Sequence, residues 1–131
     1  MELLNKYLQE INEDVKYDQI NILEKQLMLP ATKHKWIARL IQHKLNKNNL
    51  EDKKKKLYEE AFESIKNNVP SGIPAASLKK KIDSTEVIQK IDKEIQDCEL
   101  IIQYLEKVEK ILSSITYDIA NATKLMVLET T

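Results

Sequence analysis

The stretch STEVIQKIDKEIQDCELIIQYLEKVEKILSSITYDIANATKLMVL, residues 84–128, contains no Gly and no Pro and carries a regular apolar stripe. From Ile88 the steps run to Ile91, Ile95, Cys98, Ile102 and Leu105, alternating three and four as one face of a helix requires. A second run passes through Val108, Leu112, Ile115, Ile119, Ala122 and Met126. The runs join at Ile102–Leu105–Val108, where two steps of three fall in succession, a stammer that overwinds a seven-residue repeat. Asp83 is placed as N-cap, with Glu86 three residues on as in a capping box.

At 1.5 Å per residue this helix would be roughly 65 Å long. A stripe of that length needs a partner helix, from the first half of the chain or from other copies, and self-association is the favoured choice. Charges of both signs at Lys90, Asp92, Lys93, Glu94, Asp97, Glu99, Glu106, Lys107, Glu109 and Lys110 suit the edges of a helix–helix seam. The expected oligomerisation residues are Ile102, Leu105, Val108, Leu112, Ile115, Ile119 and Met126.

Composition supports an all-α class, because one Gly and three Pro in 131 residues leave little material for turns. The single Cys98 excludes an internal disulfide, and its place on the stripe marks a core residue rather than a nucleophile. No apolar run approaches the ~20 residues of a membrane span. The acidic N-terminus is unlike a signal peptide, so a cytoplasmic setting is expected.

In chain order, residues 1–12 read as an amphipathic helix interrupted at Asp14–Asp18. A second helix is expected from Gln19 to Leu29 and ends at Pro30. Thr32 is placed to cap a third, nearly continuous to Lys66, with a break or bend expected at Asn46, Asn48 and Asn49. Residues 67–77 are the one clear loop, and Leu78–Ile82 leads into the long helix as an extra turn or an extended segment. This divides the chain into a helical N-terminal region, 1–77, and a C-terminal oligomerisation helix, 78–131.

Charge is balanced overall but not locally. Residues 1–24 carry two lysines against six carboxylates. Residues 33–56 carry Lys33, Lys35, Arg39, Lys44, Lys47, Lys53, Lys54, Lys55 and Lys56 against only Glu51 and Asp52. Lys79, Lys80 and Lys81 add a second basic cluster. Such a block attracts a polyanion, DNA or RNA above all. There is one Arg, the commonest reader of base edges, so lysine contacts to phosphate without base preference are expected. Trp36, Tyr58 and Phe62 could stack on bases. Trp36 lies on an apolar stripe, where core packing is the stronger reading.

His34 and His43 stand nine apart, too far for a shared metal, and Gly72 alone makes no phosphate loop. No nucleophile motif is present. No metal or cofactor is expected, and an enzyme is the least expected class.

With these features in view, the chain resembles the UvsY family of phage recombination mediators. The resemblance rests on an N-terminal leucine helix ending in Asp14-Val15, Asp18 opening the next helix, Leu29-Pro30 and Lys33-His34-Lys35-Trp36. A lysine-rich helix, a loop, the segment Leu78-Lys79 with Ile82, and a closing helix near Tyr117-Asp118-Ile119 complete the order. It implies a non-catalytic ring of identical subunits in the cytoplasm of an infected bacterial host. Such a ring binds single-stranded DNA, loads a RecA-like recombinase and helps displace the single-strand DNA-binding protein. The family's DNA-binding motif is Leu-Lys-Ala-Arg-Leu or a similar basic triplet. Its nearest match is Lys54-Lys55-Lys56-Leu57-Tyr58, with Lys54 at the lysine and Lys56 at the arginine. That alignment needs about one helical turn deleted after Trp36; without the gap Glu59 and Ala61 occupy those places.

Two further functions stay open on the residues alone. One is a coiled-coil adaptor whose lysines only keep it soluble. The other is a basic helical module for RNA or an acidic protein surface.

Overall fold

Helix α1, Glu2–Val15, forms because Tyr7 and Ile11 recur four apart and both are buried. The computed structural model describes residues 2–68 and 72–130, so the expected loop at Val69-Pro70-Ser71 lies outside the described residues. Asp14 and Val15, expected to interrupt α1, belong to it. The Asp14 carboxylate is held by Lys35 and by the Trp36 indole N–H, which draws the last turn onto the second helix.

The turn after α1 has its own chemistry. Asp18 Oδ1 accepts from the backbone N–H of Ile20 and Asn21, and Asn21 Oδ1 accepts from the Asp18 N–H. This reciprocal pair is a capping box, so Asp18 does open the next helix. Helix α2 continues from it as one element, Ile22–Asn68, with Pro30 inside it. The expected stop at Pro30, the cap at Thr32 and a break at the asparagines are therefore corrected. A proline within a helix costs about 3 kcal/mol. Leu29, Trp36 and Leu40 are buried on either side of it, and each such side chain contributes about 1.5–3 kcal/mol. Pro30 and Gln26 are exposed, so the carbonyl that loses its partner can take water.

Helix α3, Ala75–Asp83, settles the segment before the long helix as helical, anchored by the fully buried Ile82. Asp83 is its last residue and not the N-cap of the long helix. Helix α4, Glu86–Thr130, begins instead behind Thr85, whose carbonyl accepts from the Gln89 N–H. The four helices and the absence of strands among the described residues make the protein all-α.

The chain divides into two compact units, residues 1–42 with 101–131, and residues 43–100. In the first, α2 and α4 run antiparallel, since Thr123 donates to the Gln26 side chain while Trp36 and Ile37 lie beside Glu109 and Leu112. The stripe residues Ile102, Leu105, Val108, Leu112, Ile115 and Ile119 are all buried here, together with Ile22, Leu29, Trp36 and Leu40 of α2 and Tyr7 and Ile11 of α1. The partner that this stripe requires comes from the first half of the same chain. All three residues of the stammer are inside, as overwinding to keep them on one face demands.

In the second unit α2 and α4 are again antiparallel, with Lys47 on Glu99 and Lys54 on Asp92. Ile82, Ile88, Ile91 and Cys98 are its buried residues. The Cys98 thiol donates to the His43 carbonyl at 3.1 Å, and burial pushes its pKa up, which suits a core residue. Among the described residues no helix is long and apolar enough to cross a membrane.

Candidate nucleic-acid interface

Successive residues on a helix are turned by about 100°, so Lys53, Lys54, Lys55 and Lys56 cannot share a direction. Lys54 is the inward one. It is half-buried, and its ammonium meets the Asp92 carboxylate at 2.6 Å. Lys47, two turns earlier on the same face, pairs with Glu99 and more distantly with Glu51. Hydrogen bonds donated to Glu99 and Asp92 hold both ammoniums above the ordinary lysine value. Lys53, Lys55 and Lys56 are exposed.

The second basic cluster meets the first at Tyr58, where the Asp83 carboxylate also lies. The Tyr58 hydroxyl donates to the backbone carbonyl of Lys79 at 3.4 Å, which sets α3 beside the lysine-rich turn of α2. Lys79, Lys80 and Lys81 are exposed on α3. Residues more than twenty apart in sequence are thus brought into one unit, whose two adjacent helices carry six exposed lysines. Tyr58 and Phe62 of α2 are half-buried.

The remaining basic candidates divide differently. Lys44 is exposed. Lys33 is half-buried beside Trp36, Ile37 and Glu109. Lys35 and Arg39 are occupied by α1: Lys35 Nζ reaches Asp14 at 2.6 Å and Glu10 at 3.4 Å, while the Arg39 guanidinium donates to both oxygens of Glu10. Trp36 is 2% exposed and donates from Nε1 to Asp14 at 2.8 Å. Its ring meets Tyr7 edge to face with centroids 5.4 Å apart, and Arg39 lies 4.8 Å and 4.9 Å from the Trp36 and Tyr7 ring centres. The acidic partners Glu10, Asp14, Asp92 and Glu99 were absent from the sequence-derived site. One signal for the first two existed: two carboxylates four apart on α1 match two cations four apart on α2.

The Arg39 hydrogen bond, then the charges of Lys35 and Arg39, hold the Glu10 carboxyl below its ordinary range. A carboxylate so shifted binds its proton more readily in the unfolded chain. Its stabilising effect is therefore full above the ordinary carboxylate pKa of about 4.5 and is lost as pH falls through the lowered value. Trp36 emission should stay constant down to that region and shift to the red below it as α1 loosens. An emission spectrum unchanged through acid would show that the ion pairs do not hold α1.

Among the described residues no group of three His, Cys, Asp or Glu is placed to hold a metal. Fold and surface together define the class: an all-α protein presenting a field of exposed lysines. Residues 10–130 match the family described as "Recombination, repair and ssDNA binding protein UvsY". The match spans most of the chain, which belongs to this family. Crystal structures of the bacteriophage T4 recombination mediator protein UvsY share the fold. The type IV lattice gives a TM-score of 0.82 at 16% identity, covering 96% of this chain and 98% of that one. The type II lattice gives 0.79 at 15% identity, covering 98% of each chain. No curated protein sequence matches the chain.

Proposed function

We propose that this protein is a non-catalytic recombination mediator that holds single-stranded DNA by its phosphates and helps a RecA-like recombinase replace the single-strand DNA-binding protein. The observation that carries the reading is the joining of Lys53, Lys55 and Lys56 to Lys79, Lys80 and Lys81 through Tyr58. Lysine is a point charge that binds phosphate without reading bases, as a mediator acting on any sequence requires. In the family's motif position Lys56 is the exposed contact, while Lys54 braces α2 against Asp92.

Several weak grips gain strength when copies act together, so assembly into a ring-like homo-oligomer is part of the reading. Ile102, Leu105, Val108, Leu112, Ile115 and Ile119 serve it through the core that joins α2 to α4. The outer stripe Leu23, Leu27, Ile37 and Ile41 of α2 supplies apolar surface for a neighbouring copy, with Met126 lining a groove beside Leu23. A ring would carry its lysine surfaces in a continuous track. A strand bent along it would be held less firmly by a competing binder and presented to the recombinase.

The test is the DNA-dependent ATP hydrolysis of a RecA-like recombinase on single strands coated with their binding protein. Adding this protein should shorten the lag before hydrolysis. An unchanged lag, with the protein bound to the strand, would reduce it to a DNA-binding oligomer.

A further inference from the structure

Helix α1 covers the chain's only Arg and only Trp with two carboxylates. Three donors converge there: the Lys35 ammonium, the Arg39 guanidinium and the Trp36 indole N–H, all directed at Glu10 and Asp14. Arg39 is flanked by the rings of Tyr7 and Trp36. An arginine and a lysine beside an aromatic face is the composition of a single-strand platform, where cations take phosphates and the ring takes a base. Two carboxylates one helical turn apart occupy the phosphates' place.

We propose that α1 is a displaceable acidic cover over a second single-stranded-DNA site made by Lys35, Trp36 and Arg39. The attachment of α1 suits displacement. It buries only Tyr7 and Ile11, and at 14 residues it is near the length below which a helix is marginal without tertiary contacts. Its polar ties are mainly ionic, with Lys25 donating to the Glu13 carbonyl at 2.7 Å as the additional tether. Ionic ties are the kind that a polyanion competes for directly. Lifting α1 would exchange Glu10 and Asp14 for strand phosphates and uncover the Trp36 ring. The lysine surface around Tyr58 needs no such opening, so it would bind first and the covered site second.

The inference rests on the reading of the protein as a single-strand binder, and the experiment separates the two. Oligothymidine is titrated into the full-length protein with the emission of Trp36, the sole tryptophan, as readout. In the unaltered protein Trp36 emission should change as the strand saturates. The variant Glu10→Gln with Asp14→Asn should bind about twentyfold more tightly near 0.1 M salt, the value for two further phosphate contacts at a salt slope of about −0.7 each. Glu2→Gln with Glu13→Gln removes the same charge from exposed positions of α1 and should give less than a quarter of that gain. Adding Lys35→Ala and Arg39→Ala to the first variant should abolish the gain. Binding with silent Trp36 emission in the unaltered protein, or equal gains in the two neutralised variants, would overturn the cover and leave the lysine surface intact. Binding by the uncovered variant alone would support the cover while removing the first reading. No binding by any form would overturn both.

Discussion

Replacing Lys53, Lys55 and Lys56 with Ala should weaken single-stranded DNA binding about a hundredfold near 0.1 M salt. Each phosphate neutralised on a single strand contributes a salt slope of about −0.7, which near 0.1 M is about fivefold in affinity, and three contacts multiply. The slope itself should flatten by about 2. All three side chains are exposed, so stability should change by less than about 0.5 kcal/mol per site. A fluorescence titration at several salt concentrations gives both quantities. Unchanged affinity and slope would place the strand elsewhere.

Substituting Val108 with Asp should unfold the unit formed by residues 1–42 and 101–131. Val108 is 0% exposed at the end of the stammer, and no buried cation neighbours it in that core. An unpaired carboxylate there must be desolvated or protonated, a penalty of several kcal/mol against a total stability of about 5–15 kcal/mol. Ile111→Asp, three positions along but 48% exposed, is the matched control and should keep its helix content. Circular dichroism during heating distinguishes them. Equal melting of the two variants would mean that the stripe is not the core.

Comparing Val108 with Pro30 shows which parts of the fold were legible. The stripe through Val108 could be read because periodicity over 45 residues is a local property that burial reinforces at every step. Pro30 reads as a helix end because the local cost is visible in the sequence while the compensation is not: Trp36 lies beside Leu112 of α4, far along the chain, and Leu29 and Leu40 are buried in the same unit. Segment 75–83 was ambiguous for the opposite reason. Nine residues with three consecutive lysines show too little periodicity, and the fully buried Ile82 decides their state through tertiary contact.

For the site, the sequence revealed where positive charge is dense but not which charges are spent. Lys35, Arg39, Lys47 and Lys54 look like Lys53, Lys55 and Lys56 until their partners are placed. Those partners, Asp14, Glu10, Glu99 and Asp92, lie 21 to 52 residues away, and only the matched four-residue spacing of Glu10 and Asp14 with Lys35 and Arg39 hints at any of them. Pairing converts about half of the α2 lysine window from a phosphate surface into a clamp between helices. The Tyr58–Lys79 contact works the other way, adding to the surface a cluster that the sequence sets apart.

The most direct measurement is photo-cross-linking of a halogenated single strand to the full-length protein, with peptide mapping at low strand excess. Cross-links should fall together on peptides containing residues 53–58 and 79–81, because the Tyr58 contact sets α3 against this part of α2. Cross-links that miss both segments, or that reach one and never the other, would contradict the joined lysine surface on which this account of function stands.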